Sequence, residues 1–311
     1  MWGLLRLVRR RLNRPGAPAD LPTFTPAAEL GDEWRRVAVV GDVGHPSPEL
    51  DATVAALVRA STERPFDALV LLGDNVYPDG QPALLQQAVL DPFAALLDAG
   101  VAPLAVLGNH DVQAGQGDEI AKRLGMPGRW YATTVGPSLF IALDSTQPNN
   151  PTQRAWLAAT LAEARASWVV VALHHPPYSA GWHGSHRRAR RAFVPLFRRF
   201  GVDVVLAGHD HDYQRSKPLA GITYVISGAA AHQRATGRAG FTAASHADHH
   251  FVDLRISPER LELVAVDHGG VAFDGVVTTK RKNRVTVGGR DVSHIDGWRD
   301  APPETRGDVG G

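Results

Sequence analysis

The chain has 311 residues, a formal net charge of +1 and no cysteine. Its length allows one large domain or two small ones with a sizeable core, and the balanced charge points to neither a nucleic-acid nor a membrane partner. Without cysteine there is no disulfide framework or thiolate metal site, so any soft metal ligation falls to the 14 histidines.

Residues 1–31 read as an N-terminal basic segment and linker. Met1, Leu4, Leu5, Val8 and Leu12 fall near one helical face, Arg6, Arg9, Arg10 and Arg11 surround it, and residues 13–31 are rich in proline and alanine. A helix this short is marginal alone, so a solvated terminus is the simpler reading of residues 1–12, with weak contact to a membrane surface as the alternative. The charges follow the apolar run and no small-residue cleavage site is evident. The expectation is a cytoplasmic protein, peripheral to a membrane at most.

From Arg35 the pattern becomes strand, loop, helix. Val37–Val40 is a buried strand that delivers Gly41-Asp42-Val43-Gly44, and Pro48-Glu49 opens a helix to about Glu63. A second strand, Ala68–Leu72, ends in Gly73-Asp74-Asn75-Val76-Tyr77, and a helix follows from about Pro82 to Ala99. Leu104–Leu107 leads to Gly108-Asn109-His110-Asp111. Trp130–Val135 and Leu139–Leu143 form a pair turned at Gly136-Pro137, with Asp144 at its end. Pro151–Arg165 is helical, and Trp168–Leu173 delivers His174-His175.

A glycine-rich loop, Ser179–Ser185, opens an arginine-laden helix to Phe200, and Val202–Leu206 delivers Gly208-His209-Asp210-His211. Ile222–Ile226, His250–Ile256, Leu261–Val266 and Val271–Thr278 close the pattern as strands. This order fits two packed sheets with helices outside, in one domain over 33–279. The tail, 280–311, is polar and glycine-rich and is expected to be disordered.

Five apolar strands therefore end in short polar signatures, all at the edge where open α/β sheets bind ligands. A lone motif of this kind means little. Five together bring carboxylate, amide, phenol and imidazole donors to one place, as two metal ions sharing a bridging carboxylate require.

These signatures resemble the calcineurin-like metallophosphoesterase superfamily over about residues 36–230 and, within it, the purple acid phosphatases. Gly44 stands where most of the superfamily has a histidine, and Tyr77 stands where the purple acid phosphatases add a tyrosine. The resemblance implies an α/β fold, a four-layer sandwich of two mixed β-sheets flanked by helices. It implies a first metal on Asp42, Asp74, Tyr77 and His211, and a second on Asp74, Asn109, His174 and His209. The oxygen-rich first site suits Fe(III) and the nitrogen-richer second suits Fe(II), Zn or Mn, with Mn at both as an alternative. The implied activity is a dinuclear metal-dependent phosphoester hydrolase, a phosphomonoesterase acting on small phosphoesters through hydroxide formed at the metals. His110 is the candidate acid or phosphate donor, Asp111 its orienting partner, and His183 a second substrate-facing histidine.

Other readings compete. A phosphodiesterase for cyclic nucleotides, nucleotides or lipid head groups uses the same metals. A non-catalytic metal-binding scaffold predicts missing ligands or a missing His110, and none is missing. The arginines of 187–199 read first as a solvated face. His186, His232, His246, His249 and His250 read as surface residues or supports of the ligands, Tyr213 and Arg215 as structural, and Asp144 as a turn or ligand support. The sequence carries no signal of oligomeric state.

Overall fold

Short apolar runs, buried on both faces, build the centres of two sheets. In the computed structural model the described residues are 33–280, with short segments at 286–287 and 290–291. The expectations for 1–31 and for most of the 280–311 tail fall outside them. The chain divides into two units, residues 1–278 and 279–311. In the second, β14 (Thr286–Val287) pairs antiparallel with β15 (Arg290–Asp291).

The first sheet runs β13 (Ala272–Thr279), β12 (Arg260–Asp267), β11 (His250–Ile256), β1 (Arg35–Val40), β2 (Ala68–Leu71), β3 (Ala102–Ala105). The second runs β10 (Thr242–His246), β8 (Tyr213–Ser216), β9 (Thr223–Ser227), β7 (Val204–Ala207), β6 (Trp168–Leu173), β5 (Ser138–Ala142), β4 (Tyr131–Val135). Strands β1, β2 and β3 are mutually parallel, as are β5, β6, β7 and β9, while β11 and β12 in the first sheet and β4, β8 and β10 in the second pair antiparallel with their neighbours. Both sheets are therefore mixed.

Side chains two apart share a strand face, so each central strand serves two cores. Val37, Val39, Val70 and Leu254 of the first sheet pack against Phe140, Trp168, Val170 and Leu206 of the second. The opposite face of the first sheet meets α1 (Pro48–Glu63) and α2 (Ala94–Asp98). That of the second meets α5 (Pro151–Glu163) and α6 (Arg187–Phe200). Four layers result. Each fully buried valine or leucine contributes roughly 1.5–3 kcal/mol, and Trp168 adds a hydrogen bond from Nε1 to the Ser257 carbonyl at 2.7 Å.

Helix starts follow the local chemistry. Ser47 Oγ caps α1 by accepting from the Leu50 N–H, and Asn150 Oδ1 caps α5 by accepting from Thr152 and Gln153, with proline first in each helix. The helix expected over 82–99 is broken. Pro92 lacks an N–H, and the chain passes through a single-turn 3₁₀ segment (Pro82–Leu84) and a wide π-type turn (Gln86–Leu90) before α2. Two short helices after β3, α3 (Asn109–Gln113) and α4 (Gly117–Arg123), and strands β8 and β10 had no apolar run to mark them. Among the described residues no helix is long and apolar enough to cross a membrane.

Candidate metal centre

The parallel strands of both sheets end side by side, and the turns that follow meet. Asp42 and Asp74 take left-handed backbone conformations (φ 57° and 52°), as does His209 (φ 72°). Non-glycine residues seldom adopt this region, and several such positions together mark a functional cluster. The turns interlock: the Asp42 N–H donates to the Gly73 carbonyl, the Gly44 N–H to that of Asp74, and the His209 N–H to Asp42 Oδ2, which ties the two sheets.

Glycines make this approach possible. A Cβ on Gly108 would lie 2.1 Å from Asp74 Oδ1, and one on Gly208 would lie 2.6 Å from Asp42 Oδ2. At Gly44 a Cβ would fall 2.5 Å from the Asn75 carbonyl carbon and the Val76 nitrogen, so this position has no room for a side chain. The segment that fills this space is the one that brings Tyr77 to the site.

One donor group forms around Tyr77. Its hydroxyl donates to Asp74 Oδ2 at 2.9 Å, stands 3.4 Å from Asp42 Oδ1 and lies 3.2 Å from His211 Nε2. His211 Nε2 is 3.4 Å from Asp42 Oδ1. A second group forms around His174. Its Nε2 lies 3.4 Å from Asp74 Oδ1, 3.1 Å from Asn109 Oδ1 and 3.2 Å from His209 Nδ1. Asp74 belongs to both groups, one carboxylate oxygen facing each. His174 Nδ1 donates to the Leu72 carbonyl at 2.8 Å, which fixes the ring and turns Nε2 toward Asp74 and Asn109. Histidines that hold metals are fixed in this way. Ligand atoms of Asp42, Asp74 and His174, and of His174, His175 and His209, lie within 4.8 Å of one another.

The electrostatics match a cation site. Burial pushes Asp42 up. Burial, then the Asp42 and Asp74 charges, push the Tyr77 phenol far up. For Asp74 burial acts upward too, but His174 and the His110 amide hold it below the usual carboxylate range. For His174 burial acts downward and the Asp74 charge outweighs it, raising the imidazole to about 10. Burial and the His174 charge depress His209, and take His175 down to about 2. Lone pairs crowd here at mutual expense, and divalent or trivalent ions relieve that conflict. The donor chemistry fits two metals, an oxygen-rich position and a nitrogen-richer one.

The other predicted residues fall in different places. The His110 N–H donates to Asp74 Oδ1 at 2.9 Å, its ring Nδ1 faces the Pro78 carbonyl, and Nε2 is 4.0 Å from Asp74 Oδ2. Asp111 does not orient this ring. It is fully buried and accepts from the backbone N–H groups of Asn75, Val76 and Gly108 and from Asn75 Nδ2. It ties the Asp74 turn to the Asn109 turn. His183 is exposed and stacks on His209 (centroids 4.2 Å, 28°), with Nδ1 3.1 Å from buried Asp210.

His175, beside the read ligand His174, packs against His186 and His209 and meets Ser145 Oγ through Nδ1. Asp144 makes the turn, accepting from Thr146 and donating to Gln153 Oε1. Tyr213 and Arg215 both bind Asp274. His250 departs from expectation: it is fully buried in β11 because its ring completes an aromatic group with Tyr213 and Phe273. Arg234 reaches the site and had no motif to announce it. Its NH1 lies 3.1 Å from His183 Nε2.

A family model for calcineurin-like phosphoesterases matches residues 35–213. Human tartrate-resistant acid phosphatase type 5 is 30% identical over 271 residues, covering 74% of this chain and 79% of the human protein. Purple acid phosphatase 21 of Arabidopsis thaliana is 31% identical over 231 residues, covering 66% of this chain and 50% of that one. Among solved structures, purple acid phosphatase PPD1 from yellow lupin seeds superposes with a TM-score of 0.69 at 18% identity, covering 79% of this chain and 54% of that chain.

Proposed function

The chain belongs to the calcineurin-like phosphoesterase family, with purple acid phosphatases among its relatives, and we propose that it is a phosphomonoesterase acting on small phosphate esters. It is a metal-dependent phosphoester hydrolase with a dinuclear site. The observation that carries the reading is the double placement of Asp74, one oxygen 2.9 Å from the Tyr77 hydroxyl and the other 3.4 Å from His174 Nε2. A carboxylate so placed can bridge two ions.

In this reading Asp42, Asp74, Tyr77 and His211 hold the first ion, and Asp74, Asn109, His174 and His209 the second. Fe(III) suits the first position because a carboxylate pair and a phenolate are hard donors; Fe(II), Zn or Mn suits the second, and Mn can serve both. When bound, two such ions supply Lewis acidity, polarising phosphoryl oxygens and bringing the pKa of water to about 7. The protein supplies the rest. His110 presents Nε2 beside Asp74, with Nδ1 held at the Pro78 carbonyl, and it delivers a proton to the departing oxygen or binds the phosphoryl group. The contact between His183 and Arg234 spans the His209 side of the site, which favours a small terminal phosphoryl group over a diester.

The test joins metal analysis to a substrate panel. The wild type is expected to hold about two ions per chain and to hydrolyse p-nitrophenyl phosphate with a higher kcat/KM than bis(p-nitrophenyl) phosphate. Asp74→Ala is expected to empty both positions. A preference for the diester would overturn the monoester reading, and an active Asp74→Ala variant with two ions would overturn the bridge.

A further inference from the structure

Arg234 lies beyond the residues matched by the family model, on the loop after β9. Its backbone N–H donates to the His211 carbonyl at 2.7 Å, so the loop is fastened to the turn that carries His209 and His211. Its side chain is exposed and crosses to His183 on the facing loop, NH1 to Nε2 3.1 Å. Asp210 sets what His183 offers. This buried carboxylate accepts from the His183 backbone N–H at 2.7 Å and faces Nδ1 at 3.1 Å, so Nδ1 carries the proton and Nε2 presents its lone pair to Arg234. The His183 ring in turn stacks on that of His209. The guanidinium therefore stands one imidazole away from the nitrogen-rich half of the centre.

Among the described residues no carboxylate forms an ion pair with Arg234. A guanidinium has five N–H donors in a planar fork suited to carboxylate and phosphate, and a single neutral imidazole nitrogen satisfies one of them. An exposed arginine held at the mouth of a phosphoester site, without an acid partner, has the chemistry to receive a second anion.

We propose that Arg234 is a specificity-determining residue that binds a second anionic group on the leaving-group side of the substrate. This rests on the phosphomonoesterase reading and narrows it to esters whose alcohol carries a carboxylate or a further phosphate. On binding, the anion takes the guanidinium from His183, and Nε2 is freed toward the substrate.

The experiment measures kcat and KM for wild type, Arg234→Ala and Arg234→Lys on three substrates: p-nitrophenyl phosphate, which has no second anion, 3-phosphoglycerate, which has a carboxylate, and fructose 1,6-bisphosphate, which has a second phosphate. The readout is the ratio of kcat/KM on a charged substrate to that on p-nitrophenyl phosphate. In Arg234→Ala this ratio is expected to fall roughly tenfold to a hundredfold, the effect of losing a charge-assisted hydrogen bond, and to do so through KM. Arg234→Lys, which keeps the charge and loses the fork, is expected to recover part of it. The substrate whose ratio falls further identifies carboxylate or phosphate as the preferred anion. Ratios within twofold of wild type on both charged substrates, or a loss confined to kcat, would overturn the proposal while leaving phosphomonoesterase activity in place. A wild type inactive on p-nitrophenyl phosphate and on both charged esters would remove the activity and this inference with it.

Discussion

Replacing Asp111 by alanine should damage the framework of the site more than its chemistry. Its carboxylate receives N–H groups from Asn75 (2.8 Å), Val76 (3.0 Å) and Gly108 (2.8 Å), and the Asn75 side-chain amide (2.8 Å). Truncation leaves three backbone donors buried without a partner, and each such group costs roughly 1–3 kcal/mol. Two effects reduce the total. Water can enter the space left behind, and burial with the neighbouring Asp74 charge pushes the Asp111 carboxyl up to about 7, so its charge is itself held at some expense. The expected loss is therefore about 4 kcal/mol, which for a domain of this size lowers Tm by roughly 8–16 °C. Because Asp111 joins the turns carrying Asp74 and Asn109, metal content should fall as well. Asp111→Asn keeps an acceptor oxygen and should fall between the two. The assay is thermal unfolding with and without added metal, together with metal analysis. An Asp111→Ala variant with unchanged Tm, full metal content and a selective loss of kcat would refute this reasoning and return Asp111 to the side of His110.

Other outcomes follow from single contacts. His110→Ala should keep its metals and lose roughly 10²–10⁴-fold in rate, with a smaller loss on p-nitrophenyl phosphate than on alkyl phosphates; an equal loss across leaving groups would assign His110 to phosphate binding. Iron-loaded, oxidised wild type should show a visible band from phenolate on Fe(III), and Tyr77→Phe, which removes only a hydroxyl, should abolish it; a band unchanged in the variant would take Tyr77 out of the metal's surroundings. His250 is neutral in the fold because burial takes its pKa down to about 4 from 6.5. The unfolded chain therefore gains a proton first as pH falls, and stability should drop by about 3 kcal/mol between pH 6.5 and 4 on this account. Denaturant titrations of His250→Leu should be flatter over that window, and an unchanged slope would rule His250 out as the cause.

The candidate site was legible in the sequence because the residues proposed as ligands follow apolar runs punctuated by glycine. Val37–Val40, Ala68–Leu71 and Trp168–Leu173 are buried on both faces and read as strands without ambiguity. What sequence adjacency could not reveal is where a side chain turns. Asp111 follows His110 directly, yet it is the third residue of α3 and reaches back to the Gly108 N–H, a spacing that marks a helix start and could have been read as one. Strands β8 and β10 read Tyr-Gln-Arg-Ser and Thr-Ala-Ala-Ser-His, with no apolar run, and are held by their neighbours in the sheet. Arg234 is placed by a long loop, and no local pattern connects it to His183, 51 residues away.

The tight contact at Gly44 also bears on evolutionary history. Positions 44 and 77 are not independent characters. The turn that delivers the Tyr77 phenol occupies the volume a side chain at 44 would need, with a Cβ there only 2.5 Å from the Asn75 and Val76 backbone. A mutation of Gly44 toward histidine would meet that backbone before it could donate a single electron pair, so selection would see only the damage. A side chain at 44 requires a prior shift of the 74–77 turn, and such a shift would move the phenol. The two positions are coupled through that turn, so a side chain at 44 is open only after a change at 74–77.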